Sequence, residues 1–154
     1  MWTMFDERYA QLPVFRGLSK EQIDHIEPLF QLCRFSKNTP VFQQGQPAQY
    51  FYILLKGDVE IRYKPYDGPP LTVAHIEPGS VFGWSSVLGR DTYSSAAVST
   101  ARSEAYCICF EDLRQMYRLH PGTGDILLER LAGVIAERIR STHAKVLSLI
   151  KEGL

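Results

Sequence analysis

Through the middle of the chain a glycine recurs about every 10 to 12 residues: Gly45 in QQGQ, Gly57 in LKGD, Gly68 in YDGP, Gly79 in EPGS and Gly89 in LGRD. A chain that reverses this often has room only for short strands, which is the demand of an antiparallel sandwich or barrel. The intervening segments suit that role. YFYILL, from Tyr50 to Leu55, is a continuous apolar run fit for a buried strand. VEIRY alternates Val59, Ile61 and Tyr63 with Glu60 and Arg62, and LTVAHI, from Leu71 to Ile76, adds a further β-branched run. Asp67-Gly68 between these two predicts a tight hairpin turn, because such a turn needs a positive φ that glycine adopts without penalty.

The flanks have a different period. In SKEQIDHIEPLF, Ser19 is placed to cap a helix with Gln22 three residues later, and Ile23, Ile26 and Leu29 share a face. After the His120-Pro121-Gly122 break, Leu128, Leu131, Ile135, Ile139, Val146 and Ile150 recur at spacings of three, four or their sum, with Asp125 near the start. This pattern predicts one helix of about 25 residues. A helix so long beside a core of this size packs on something further, and a homodimer through it is expected; the alternative is an amphipathic helix lying on the roll. The expected organisation is one domain over 1–154: an N-terminal helical part to about residue 35, a β-roll over 36–112 and a C-terminal helical part over 113–154.

Charge and cysteine content narrow the function classes. Seventeen basic residues balance seventeen acidic ones, so no electrostatic attraction to nucleic acid or to an anionic membrane is expected. The amino end, MWTMFDERYA, lacks the basic start and apolar core of a leader, and no apolar run spans a bilayer; a cytoplasmic location follows as an expectation. Cys33, Cys107 and Cys109 are too few for a disulfide framework or a metal ligand set, and Cys107 and Cys109, two apart in AYCICF, point to one face as small core residues. His25, His75, His120 and His143 carry no ligand spacing. No cofactor or metal is called for. Gly83-Trp84-Ser85-Ser86-Val87 has the start of the hydrolase elbow G-x-S-x-G but not its second glycine, and no carboxylate pair or phosphate loop is seen, so the chain is not expected to be an enzyme.

The order helix, glycine-punctuated roll, long helix carries specific residues: NTPVFQQGQPAQYFYILLKGDVEIRY, then HIEPGSVFGWSSVL, then SSAAVSTARSEAYCICFEDLRQM. With Gly45, Pro47, Gly57, Pro78-Gly79 and Phe82-Gly83 as markers, the chain resembles the cyclic-nucleotide-binding domain shared by catabolite activator proteins, protein kinase A regulatory subunits and nucleotide-gated channels, from about Leu18 to Ile150. The resemblance implies a mainly β fold with flanking helices, a double-stranded β-helix or jelly-roll-like β-roll followed by a long C-terminal helix. It also implies a phosphate-binding cassette beginning at Phe82 and Gly83 and running through Trp84, Ser85, Ser86 and Val87 to Arg90, with Ser94 and Ser95 beyond. In such a cassette the amides of a short helix and an arginine meet the cyclic phosphate while a glutamate accepts from the ribose.

Here Trp84 stands at the glutamate position and Ser94, aligned through Ala96 and Val98, at the arginine position. Trp84 is either a stacking wall for a ring or a core plug. The resemblance therefore implies a regulatory domain sensing a small molecule, with an altered cassette that is not that of a typical cyclic AMP binder. Two alternatives are the sensor portion of a catabolite activator protein-like transcription regulator and an interaction module without ligand. In the former the long helix dimerises and leads into a helix-turn-helix; the sequence ends at Lys151-Glu152-Gly153-Leu154, so no nucleic-acid contact is expected from this chain.

Overall fold

The computed structural model describes residues 12–153; the amino end read above for a leader, and the side chain of Val146, lie outside the described residues. Eight strands form two four-stranded antiparallel sheets. The first has the order β1 (Phe30–Phe35), β8 (Ser103–Cys109), β3 (Tyr50–Lys56), β6 (Val81–Phe82), and the second β2 (Thr39–Phe42), β7 (Ala96–Ser99), β4 (Val59–Tyr63), β5 (Leu71–Ile76). Among the described residues three α-helices flank them: α1 (Lys20–Ile26), α2 (Phe110–Leu119) and α3 (Pro121–Gly153). This is the expected jelly-roll-like β-roll with a long C-terminal helix.

The apolar run of β3 explains the layering. Successive side chains of a strand point to opposite faces, and here both faces are covered. Phe51, Ile53 and Leu55 enter a core shared with Phe15, Phe30, Tyr106, Ile108 and the helix residues Leu113, Met116, Leu127 and Leu131. Tyr52 and Leu54, with Phe82 of the neighbouring β6, enter a second core with Phe42, Val59, Ile76 and Ala97 of the facing sheet. The first core joins sheet to helices and the second joins sheet to sheet.

Local chemistry sets the ends of the elements. Ser19 accepts from the Gln22 amide at 3.1 Å while the Gln22 side chain accepts from the Ser19 amide at 2.9 Å, the reciprocal cap expected from their spacing. Pro28 then closes α1 into a single tight turn, Glu27–Leu29. Four of the five punctuating glycines have positive φ. At Gly57, φ is +98°, and an added Cβ would stand 2.6 Å from the Arg102 carbonyl, so both backbone conformation and space require glycine.

Gly68 is the fifth, and its φ is not positive. β4 and β5 do pair as a hairpin, Tyr63 opposite Leu71, but through the long connection from Lys64 to Pro70 rather than a tight Asp-Gly turn. Pro65, Pro69 and Pro70 in that connection have no amide for the ladder, which pushes the closing pair away from Asp67-Gly68. The β4–β5 register also shifts after Ile61, so the alternation of VEIRY does not carry through and Tyr63 is exposed.

Two boundaries move. Phe30–Phe35, placed in the N-terminal helical part, is strand β1, and α2 begins at Phe110, before the expected end of the roll at 112. The last helix runs for 33 residues rather than about 25. The His120-Pro121-Gly122 break separates α2 from α3, but it costs α3 nothing: proline is its first residue, where the missing amide has no intrahelical partner anyway. Among the described residues no helix is long and apolar enough to cross a membrane.

Candidate ligand-binding site

A cavity of about 440 Å³ lies between the second sheet, the segment following β6, and α3. Its floor is aromatic. Tyr93 stacks on Phe42 with ring centroids 3.9 Å apart, Phe42 stacks on Tyr52 at 5.8 Å, and Tyr52 stacks on Phe82 at 5.1 Å. Tyr93 is pinned there by its hydroxyl, which donates to the Tyr50 carbonyl at 2.7 Å, and by its amide, which donates to the Gln46 carbonyl at 3.0 Å. Burial raises the pKa of both the Tyr52 and the Tyr93 hydroxyl, that of Tyr52 far above the usual phenol range, so both stay neutral hydrogen-bonding groups.

Gly83 makes the turn from β6 over this floor. Its φ is +73°, and a Cβ would meet the Phe42 ring at 3.0 Å and the Tyr52 ring at 3.1 Å. Trp84 through Gly89 follow as consecutive turns: the Val87 amide donates to the Trp84 carbonyl at 3.0 Å, Gly89 to Ser86 at 3.1 Å and Arg90 to Ser85 at 2.9 Å. The segment is thus compact and hydrogen-bonded but is a run of turns, not the short helix expected from the sequence. A serine after a short strand and before turns is also not the strand-to-helix setting of a hydrolase elbow.

Of the residues singled out in the sequence, Phe82, Gly83, Trp84, Ser85, Ser94 and Ser95 line the cavity. Ser86, Val87 and Arg90 do not. Val87 is turned into the sheet–helix core. Ser86 is buried, and its Oγ has no hydrogen-bond partner among the described residues. Arg90 is exposed in the loop. Trp84 is half-buried against the sheet–helix core and also lines the cavity.

The remaining wall was not singled out from sequence. Ile61, Val73, Ala74 and Ile76 present the inner face of the second sheet, and Arg138, Ile139 and His143 descend from α3. Ile139 and His143 lie one turn apart on α3 and Arg138 adjoins Ile139, but only the packing of α3 across the mouth shows what these residues meet. Arg138 donates to the His75 carbonyl on edge strand β5 at 2.9 Å. Partial burial lowers its affinity for its proton while nearby Glu77 opposes that effect, and the guanidinium remains charged.

Electrostatically the cavity is one-sided. Among the described lining residues none is acidic, and the groups able to carry positive charge, Arg138 and His143, both belong to α3. The cassette side offers the neutral hydroxyls of Ser85, Ser94 and Ser95. Such a space can take a ligand with an apolar or aromatic body, hydrogen-bonded at one end and facing a cation at the other.

Comparison with known proteins assigns this architecture. Residues 32–120 match the family described as "Cyclic nucleotide-binding domain". The chain is 30% identical over 134 residues to the cyclic AMP receptor protein of Thermus thermophilus, covering 87% of this chain and 60% of that protein. It superposes on the crystal structure of the Thermus thermophilus catabolite activator protein with a TM-score of 0.72 at 28% identity, over 89% of this chain and 62% of that one. A cyclic nucleotide-binding domain from Methylobacillus flagellatus shares the fold with a TM-score of 0.84 at 19% identity, over 95% of this chain and 86% of that one. The chain thus spans about three fifths of the length of the curated relative it matches.

Proposed function

Because the chain belongs to the cyclic nucleotide-binding domain family, we propose that it is a regulatory sensing domain whose cavity takes a small molecule other than cyclic AMP or cyclic GMP. The observation that carries this is the cassette side of the cavity, where Trp84 and Ser94 line the wall and Arg90, the cation nearest in sequence, faces solvent. A cyclic phosphate carries a full negative charge, and a buried charge without a partner is costly. A serine hydroxyl does not replace a guanidinium, since a hydrogen bond to a charged partner contributes about 1.5 to 3 kcal/mol, roughly ten- to a hundredfold in affinity.

Binding rather than catalysis is the proposed role, and the similarity to a receptor protein and an activator protein supports it. The same similarity supports reading the chain as the sensing part of a regulator, self-associating through α3. A ligand held between cassette and α3 would bias the helix toward one position, by no more than its differential affinity for the two positions. The occluded alternative, an interaction module without ligand, draws on Trp84 and Tyr93 packing inward; the cavity of about 440 Å³ that remains beside them favours the sensing role.

Isothermal titration with cyclic AMP and cyclic GMP tests the proposal. The expected result is no binding at micromolar concentration for the native chain. Ser94→Arg, at an exposed position that opens onto the cavity, is expected to raise cyclic AMP affinity by about tenfold or more. Micromolar binding of either nucleotide by the native chain would overturn the reading.

A further inference from the structure

We propose that the facing rings of His25 and His120 form a proton-sensitive latch, which holds α1 to the junction of α2 and α3 and lets go when both rings are charged. The latch lies on the helical side of the domain and shares no lining residue with the cavity beside the second sheet, so it does not depend on what that cavity binds.

The two rings stack with centroids 3.6 Å apart and planes inclined by 8°. His25 comes from the last turn of α1. His120 stands between two helices: its amide donates to the Met116 carbonyl at 2.8 Å at the end of α2, and its carbonyl accepts from the Gly124 amide at 2.9 Å in the first turn of α3. A further contact closes the joint, since His25 Nδ1 and Thr123 Oγ1 of α3 are 2.7 Å apart and Thr123 is buried. One side chain of α1 thus meets both the end of α2 and the beginning of α3.

Histidine is the side chain that changes charge in the physiological pH range. Neutral imidazoles stack face to face, but two imidazolium rings at this separation place like charges one over the other, in a half-buried setting where water screens them less than in bulk. One proton is compatible with the joint. The Thr123 hydroxyl can donate to His25 Nδ1 or accept from it, so it serves the neutral and the charged ring alike. The surroundings also attract a proton. Glu21, one turn before His25 on α1, lines the same space and is the only other titratable side chain there among the described residues. His120 caps the C-terminal end of α2, where the helix carbonyls favour positive charge. Of the charged groups nearby, Arg118 on α2 is exposed, Asp125 of α3 accepts from the Tyr117 hydroxyl at 2.6 Å, and Asp24 and Glu27 beside His25 do not line the space. A single carboxylate therefore faces two rings, and the second proton finds no partner of its own. A stacked state that binds fewer protons than its opened form loses stability as pH falls. Parting the rings frees the start of the long helix from α1.

Proton NMR of the full chain between about pH 7.5 and about pH 5 tests the latch, and the mutual ring-current shifts of the His25 and His120 ring protons are expected to disappear together on acidification. Hydrogen exchange of the α1 amides, corrected for the intrinsic effect of pH, is expected to quicken about tenfold or more over the same range. His120→Phe keeps a ring for His25 to stack on and removes one titrating group, so its α1 amides are expected to stay protected. Ring-current shifts that persist at the acid end, or α1 exchange indifferent to pH, overturn the latch. A pH response in His120→Phe equal to that of the native chain overturns it as well. The NMR measurement uses the native chain alone and decides the question even where the variant does not fold.

Discussion

Cys33 and Cys107 sit on neighbouring strands, displaced by two residues from direct register, since Cys33 faces Ala105 and Cys107 faces Gln31 across β1 and β8. Both join the inter-sheet core, Cys107 buried and Cys33 half-buried. The neighbouring Cys107 thiol holds the Cys33 thiol down at about 7, and Cys33 in turn pushes Cys107 up, while the Cys33 Sγ lies 3.9 Å from the Gln31 carbonyl as a donor. Carboxamidomethylation followed by mass spectrometry is expected to label Cys33 in the native protein with a midpoint near pH 7, while Cys107 stays unlabelled until unfolding. A Cys33 midpoint at or above the ordinary thiol value of about 8.5 would refute the pairing. From the sequence these cysteines read as small core residues, which describes Cys107 well. The thiol pair itself was not legible, because Cys33 and Cys107 are brought together only by strand pairing. Gly83 and Trp84 show the same division. Their place in a cassette came from the resemblance, and only the neighbouring Phe42 and Tyr52 rings show why position 83 must be glycine.

At the scale of the element, β8 is tied to both its neighbours through one side chain. Glu104 stands opposite Arg34 of β1 and Lys56 of β3, with oxygen–nitrogen separations of 3.1 and 3.7 Å. The Arg34 hydrogen bond, with Lys56 adding to it, holds the Glu104 carboxyl below the usual carboxylate range. A depressed carboxylate contributes stability that is present above its unfolded pKa and is lost as pH falls through its folded one. Because the partners are solvent-exposed, the contribution is small, about 0.2–1 kcal/mol. Glu104→Gln should lower stability at pH 7 by that order, with the deficit closing below pH 4 and in high salt; chemical denaturation at both pH values measures it. A deficit that persists unchanged at low pH would assign the effect to packing instead. Strand β1 itself was not legible as a strand. Phe30 and Leu32 face the sheet–helix core, while Cys33 and Phe35 face the inter-sheet core, so its apolar residues shift phase halfway and show no clean period. β3 escaped this ambiguity because it is buried on both faces along its length.

At the scale of the molecule, α3 has two halves with different environments. Leu127 and Leu131 are buried in the core shared with the roll and α2, and Ile135 is buried too, whereas Ile139, Leu147 and Ile150 are 56%, 44% and 54% exposed. The amphipathic reading thus describes the first half, and the exposed stripe of the second is the surface a symmetric partner would cover. Light scattering after size exclusion is expected to give a dimer at micromolar concentration, and Leu147→Glu with Ile150→Glu a monomer of unchanged melting temperature. A native chain that remains monomeric at high concentration would remove the dimer. The overall architecture was legible because it depends on local, periodic signals: glycines where the backbone must reverse, a doubly buried run in β3, a capping box at Ser19 and a 3.6-residue period in α3. The turn length at Asp67-Gly68 and the phase of β1 were decided by pairing and packing. Of the stretch that the resemblance singled out, Phe82 to Ser85, Ser94 and Ser95 line the cavity, and Ser86, Val87 and Arg90 do not. The opposite wall was not legible. Arg138, Ile139 and His143 gain their role only because α3 folds back across a sheet some sixty residues earlier in sequence, and long-range closure of that kind leaves no periodic mark on the residues it brings together.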